Sequence, residues 1–206
     1  MAGDATTKFD QFDNGSGLFL DIGIVGAGIA GLAAAAALSR LGHRVEIYER
    51  SRFSNEVGAA VNIGPNAAPV LKALGYDIVG AKLLEAQEGK QFNGKTLGET
   101  YRGNYEDFKT RFGAPWYFSH RVDLHNELKR LALSSAGKYA GAALHLGTPV
   151  LAADCEKNIL VFEDGTQAHK DIIVGADGVH VQNFVGLHPA KAGRETEEGG
   201  MNRYCK

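Results

Sequence analysis

Hydrophobic and polar positions divide this chain into short alternating elements. Ile22, Ile24 and Val25 form a brief apolar run that ends in glycines, the signature of a strand buried on both faces. Leu32, the alanines at 33–37, Leu38 and Leu41 continue as a helix, and Gly42 stands where a left-handed stop is needed. Val45-Glu46-Ile47-Tyr48 reads as a second strand closed by Glu49. Residues 50–56 are polar and loop-like, and 57–63 form a small-residue extended segment. Pro65 is expected near the first position of a helix with Val70, Leu71 and Leu74 on its inner face and Gly75 at its end. Residues 83–101 alternate loosely between turn signals at Glu88-Gly89, Asn93-Gly94 and Leu97-Gly98, which predicts antiparallel strands. Residues 103–114 look irregular, and 116–118 strand-like. Asp123 is expected to cap a helix that places Leu124, Leu128, Leu131 and Ala132 on one face. A strand at 143–150, another at 159–162, a hairpin at 163–166 and an apolar strand at 171–174 complete the pattern, the last running into Gly175-Ala176-Asp177-Gly178.

Strand, helix and strand, then an insert of antiparallel strands, then helix and strands again, indicate an α/β fold assembled from discontinuous segments. The glycines give the first part its chemistry. In Gly26-Ala27-Gly28-Ile29-Ala30-Gly31, the first glycine permits a tight turn, the second lets backbone N–H groups approach a pyrophosphate, and the third lets the helix pack closely on the strand. The helix N-terminus would then face the phosphates, where its free N–H groups and its dipole favour negative charge. Glu49, at the end of the second strand, can accept both hydroxyls of an adenosine ribose and disfavours a 2′-phosphate. A glycine turn for packing alone would account for Gly31 but not for three glycines and the acid together. The motif therefore predicts dinucleotide binding.

Composition narrows the class only a little. A chain of 206 residues can bury a core of one or two domains. A net charge of −2 argues against a polyanion such as nucleic acid as a partner. Cys155 and Cys205 make neither a disulfide framework nor a metal spacing, which suggests a reducing compartment and a cytoplasmic location. No metal site is expected. The most apolar run, 29–38, is too short to span a bilayer. The first 17 residues are polar and lack the build of a signal peptide, so a flexible leader is expected there.

Four segments, in order, resemble the FAD-dependent aromatic hydroxylases, the single-component flavoprotein monooxygenases of the salicylate hydroxylase type. They are the Gly26–Gly31 turn with Glu49-Arg50; Gly58-Ala59-Ala60-Val61-Asn62-Ile63-Gly64-Pro65-Asn66; Phe112-Gly113-Ala114-Pro115 leading to His120-Arg121-Val122-Asp123-Leu124-His125; and Gly175-Ala176-Asp177-Gly178-Val179-His180. The resemblance implies an FAD-binding, Rossmann-like three-layer domain over 18–180, with the beginning of an antiparallel substrate-domain insert at about 77–115. It implies FAD as cofactor and NAD(P)H as co-substrate, and hydroxylation of a small aromatic or polyketide-like substrate with oxygen. By this resemblance the cofactor-binding residues are Gly26, Gly28, Gly31, Glu49, Arg50, Ala59, Ala60, Arg121, Asp177 and Gly178. Ala59 and Ala60 would keep side chains clear of the flavin, and Arg121 would reach phosphate or ribityl oxygens. Read without the resemblance, Arg121 could pair with Asp123 or Glu127, and Asp177-Gly178 could be an ordinary turn. The resemblance singles out no catalytic residue and says nothing of oligomeric state. His120 and His125 are read as structural or surface residues, and Trp116, Tyr117 and Phe118 as core.

The resemblance fades after His180. The family continues its Asp-Gly motif with a serine and then an arginine, where this chain has Val181 and Phe184. Residues 181–206 form a polar tail without strand or helix period, so a shortened copy of the family is expected. Two alternatives remain beside an active monooxygenase: a non-catalytic remnant that holds FAD, and an NAD-dependent oxidoreductase sharing the same βαβ start.

Overall fold

The computed structural model describes residues 17–52, 58–135 and 139–178. The expected leader, apart from Gly17, and the expected tail lie outside the described residues. The chain divides into two compact units; of the described residues, 17–52 and 128–178 belong to one and 58–127 to the other.

The first of these units is built on a parallel sheet. Strand β1 (Asp21–Val25) pairs with β2 (Arg44–Glu49) on one side and with the last strand, Ile172–Gly175, on the other. Helix α1 (Ile29–Arg40) connects β1 to β2, and Gly42 follows it at φ 89°, as the sequence predicts for the helix stop. The expected single strand at 143–150 is in fact two strands. Ala143–Leu146 extends the parallel sheet beside β2, Gly147 turns the chain at φ 63°, and Val150–Asp154 leaves for a second sheet. That second sheet is an antiparallel meander of Val150–Asp154, Ile159–Phe162 and Gln167–His169.

The pleat explains how three layers form. Along β1, Gly23 and Val25 share one face, on which a methyl at Gly23 would come within 3.0 Å of Leu160 in the meander. Val25 joins Tyr48, Ala153, Leu160, Phe162 and Ile173 in one buried cluster between the two sheets. Ile22, Ile24, Val45 and Ile47, which alternate with these residues, are 3% exposed or less and point to the opposite face, where α1 contributes buried Leu32, Ala35 and Ala36. Helix, parallel sheet and meander are the Rossmann-like three-layer arrangement that the resemblance implies.

Gly23 also makes room for an ion cluster that the hydrophobic pattern does not reveal. The stem of Lys170 runs beside Gly23, where an added methyl would meet its Cγ at 2.9 Å. The side chain of Lys170 is 4% exposed, and its Nζ lies 2.8 Å from Asp21 and 3.1 Å from Glu46. Tyr48 donates its hydroxyl to Glu46 at 2.5 Å, stacks on His145 and packs against Phe162. Burial opposes ionisation of Glu46, but hydrogen bonds from Tyr48, Lys170 and Arg44 outweigh it and hold the carboxyl at about 2. Burial, helped by the same carboxylate, pushes the Tyr48 hydroxyl up.

In the other unit, Ala60–Ile63 pairs with Tyr117–His120, which in turn pairs with Leu84–Glu85, all antiparallel. Glu88–Phe92 and Glu99–Asn104 form a separate antiparallel hairpin. The antiparallel strands expected within 83–101 are present, although Glu88-Gly89 lies inside a strand rather than at a turn. Three local expectations are corrected. The helix after Pro65 begins only at Ala68, with Pro69 in its first turn, and Val70 is exposed while Leu71 and Leu74 are buried. The stretch 103–114 contains a short helix, Phe108–Phe112, ended by Gly113 at φ 77°. The helix Arg121–Leu133 starts two residues before Asp123, which sits in its first turn instead of capping it. Leu124, Leu128, Leu131 and Ala132 are all buried, as their spacing predicts. Among the described residues no helix is long and apolar enough to cross a membrane.

The Lys170 cluster supports two stability predictions. Lys170→Ala, which removes the buried partner of half-buried Asp21 and Glu46 and leaves them with Arg44, is expected to lower unfolding free energy by about 1.5–3 kcal/mol, measured by urea titration. The folded carboxyl of Glu46 lies below its ordinary value of 4.5, so its contribution is whole above pH 4.5 and is lost as pH falls toward 2. Glu46→Gln should therefore flatten the loss of stability between neutral pH and about pH 3; an unchanged acid limb would show that other carboxylates carry it.

Candidate functional site: a glycine-turn cradle

The carboxyl ends of parallel strands leave a crevice where ligands of such folds bind, and the predicted dinucleotide motif lies at this edge. The carbonyl of Tyr48 accepts from the Gly26 N–H at 2.8 Å and that of Val25 from the Ala176 N–H at 2.8 Å, so the chain segments leaving β1 and the last strand lie side by side. The sequence gives no sign of how close they come. A methyl at Gly26 would stand 2.6 Å from the Ala176 carbonyl oxygen and 3.0 Å from the Cα of Asp177, and Gly26 itself has φ 101°. A methyl at Gly31 would stand 2.0 Å from the Gly26 carbonyl oxygen and 3.3 Å from the Ala176 methyl. Two of the three glycines are therefore needed for backbone contact, and that contact reaches the Gly175–Gly178 segment as well as the β1–α1 junction.

Gly28 differs from both. Its φ is −74°, an ordinary value, and a methyl there would meet nothing within 4 Å. Gly28 is the N-cap of α1; no side chain caps this helix end, and its first turn contains no acidic residue. Open space in front of an uncapped helix N-terminus suits an anionic group, so the residues present fit a pyrophosphate.

Glu49 is oriented by backbone donors. Its Oε2 accepts from the Ala27 N–H at 2.7 Å and its Oε1 from the Ser51 N–H at 2.8 Å. A carboxylate has about four acceptor positions, so lone pairs remain for further donors. Arg50 follows as an exposed side chain. Asp177 is half-buried beside the turn, and Gly178, at φ 72°, is open to solvent.

Ala59, Ala60 and Arg121 belong to the other unit, where strand pairing unites two of the sequence segments. Ala60 lies opposite His120, and the Arg121 N–H donates to the Ala59 carbonyl at 2.9 Å. Ala59 and Ala60 are exposed and Arg121 is half-buried. The His120 ring lies over Gly58, so close that a methyl at Gly58 would overlap the imidazole. His125 is fully buried, at 1% exposure. Trp116 donates to Asn62 at 3.2 Å and belongs to an aromatic group with Tyr105 and Phe108. Among the described residues no group of His, Cys, Asp and Glu could hold a metal ion.

The sequence reading found every glycine of the cradle but missed Ala176 as a contact and Ser51 as a donor. Ala176 carried a usable signal, being a small residue between a strand and an Asp-Gly pair. Ser51 carried none, since any residue supplies an N–H.

The geometry separates the three glycines experimentally. Gly26→Ala and Gly31→Ala should each destabilise the protein, Gly26→Ala by at least about 1–3 kcal/mol from its backbone conformation alone. Gly28→Ala should fold with a stability within about 1 kcal/mol of the parent. Thermal or urea unfolding of the three variants checks this order.

Comparison with known proteins gives the cradle its context. The NAD(P)-binding Rossmann-like domain family matches residues 24–59. Hispidin-3-hydroxylase of Neonothopanus nambi is 39% identical over 170 residues, covering 81% of this chain and 40% of that protein. An FAD-dependent monooxygenase of Aspergillus candidus is 36% identical over 162 residues, covering 78% of this chain and 37% of the relative. Among solved structures, a tetrameric form of 2-methyl-3-hydroxypyridine-5-carboxylic acid oxygenase superposes with a TM-score of 0.64 at 26% identity, over 76% of this chain and 39% of that one. The chain thus spans about 40% of the length of these relatives. With the glycine turn, the parallel sheet and these similarities together, the chain is a relative of the FAD-dependent aromatic hydroxylases that carries their Rossmann-type dinucleotide-binding fold.

Proposed function

We propose that this chain binds FAD and supplies the dinucleotide-binding part of a flavin monooxygenase that hydroxylates a small aromatic or polyketide-like substrate, with NAD(P)H and oxygen as co-substrates. The observation that carries the reading is the open space before Gly28 at an uncapped helix N-terminus, with an oriented carboxylate on the neighbouring strand, in a chain whose relatives include an FAD-dependent monooxygenase.

The cradle geometry supports the roles of Gly26, Gly28, Gly31 and Glu49, and the family resemblance supports the others. N–H groups at the start of α1 would bind the pyrophosphate, with Gly28 leaving them accessible. Glu49 would accept the adenosine ribose hydroxyls through its remaining lone pairs, with Arg50 flanking it. Gly26 and Gly31 act through packing, since they hold the turn against Ala176. Asp177 and Gly178 would border the pyrophosphate from the adjoining strand. Ala59 and Ala60 would leave the flavin ring unobstructed, and Arg121 would supply a fixed cation for its phosphate or ribityl oxygens. Bound FAD would supply the redox and oxygen chemistry, and the protein's contribution is binding, orientation and exclusion of water. The names of a hispidin hydroxylase and a hydroxypyridine carboxylate oxygenase among the relatives support a small ring-bearing substrate.

The visible spectrum of the purified protein, before and after reconstitution with FAD, tests the reading. A flavin band that survives gel filtration is expected in the parent and in Gly26→Ser only if that variant folds. It should be lost, or weakened at least about tenfold in affinity, in a folded Gly28→Ala, whose methyl would enter the space assigned to phosphate. A colourless protein that instead retains NAD would overturn the assignment in favour of an NAD-dependent oxidoreductase. NADH and NADPH oxidation by the yellow protein, with and without phenols, then separates a working monooxygenase from a protein that only holds FAD.

A further inference from the structure

The carboxylate of Glu49 does more here than wait for a ribose. It joins two backbone segments: the glycine turn after β1, through the Ala27 N–H at 2.7 Å, and the chain beyond β2, through the Ser51 N–H at 2.8 Å. Ala27 is completely buried, at 0% exposure. Its N–H therefore needs a partner within the protein, and an ionised acceptor is the strongest a side chain can offer. The neighbouring contacts complete the brace. Gly26 donates to Tyr48 on β2, the Gly26 backbone lies against Ala176, and the Thr148 N–H donates to the Glu49 carbonyl at 2.9 Å.

We propose that Glu49 is a positioning residue that clamps the glycine turn in its binding geometry before any nucleotide arrives. The turn then needs no ordering at the moment of binding, and affinity is raised because that cost is already met in the free protein. Glu49 is itself held by both donors, so its remaining lone pairs point in fixed directions. The consequence for nucleotide affinity rests on the FAD reading above, whereas the clamp in the free protein does not.

The chemistry fixes what each substitution does. In Glu49→Gln the single amide oxygen can accept from one of the two N–H groups, while its NH2 group opposes the other. In Glu49→Asp the side chain is one methylene shorter and cannot reach both donors without moving backbone.

Amide-resolved NMR of the full chain, without nucleotide, tests the clamp. In the parent protein the Ala27 and Ser51 amide nitrogens should both show a scalar coupling across the hydrogen bond to the Glu49 carboxyl carbon, because one carboxylate binds both. Ala27 should also be protected from hydrogen exchange. In Glu49→Gln at least one of the two couplings should vanish, and Ala27 exchange should quicken by roughly tenfold or more, while amides of the meander strands keep their parent rates. If the Ala27 and Ser51 amides of the parent do not both show a coupling to the Glu49 carboxyl carbon, the clamp is overturned, whatever the variants do. If Glu49→Gln speeds exchange equally throughout the unit, Glu49 is a general stabiliser and the positioning role is likewise overturned. Titration with ADP separates the two readings. Clamp signals in a protein that binds neither ADP nor FAD would refute the FAD assignment and leave the clamp intact. A protein that binds ADP without those signals would do the reverse.

Discussion

At the carboxyl edge of the parallel sheet, three stretches of backbone approach so closely that side chains are excluded. Gly31 rests on the Gly26 carbonyl, Gly26 rests on the Ala176 carbonyl, and the Ala176 methyl returns to Gly31. The approach is possible because β1 is the central strand, paired in parallel with β2 and with the last strand, so that three segments leave the sheet at one end. Close packing of backbone against backbone is unforgiving, because neither side has a flexible group that can yield. The position of α1, and with it the direction of its N-terminal N–H groups, depends on this contact.

The contact divides labour within the glycine motif. Gly26 and Gly31 are structural, and only Gly28 faces open space. Beside it, the carboxylate of Glu49 is held by main-chain donors on both sides. This arrangement suits a cofactor whose reactivity is its own: the protein needs to bind, orient and shield, not to supply an acid–base pair.

A second constraint operates on the meander side of the sheet. Gly23 leaves a channel through which Lys170 reaches Asp21 and Glu46. Both carboxylates lie on strands and the lysine lies two residues before the last strand, so the cluster ties together the three strands whose far ends form the cradle. Buried ion clusters of this kind are costly to assemble, and this one is held by good geometry, with Tyr48 donating to Glu46 as well.

The sequence alone was enough to place the βαβ unit. Apolar runs flanked by glycines have few alternatives, and a short run ending in glycines followed by a long alanine-rich run distinguishes β1 from α1. It also located the segments that gather around the cradle, because glycine and alanine stand where bulk is not tolerated. Where the local signal was weak, tertiary structure decided. The stretch 143–150 became two strands because Gly147 turns the chain from the parallel sheet toward the meander, and Val70 faces solvent while Leu71 and Leu74 are buried. The pairing of Lys170 with Asp21 and Glu46 and the hold of Glu49 on Ala27 join residues far apart in the chain. A one-dimensional pattern records which residues prefer burial or a turn; which distant donor meets which acceptor is set only when the strands choose their neighbours and register.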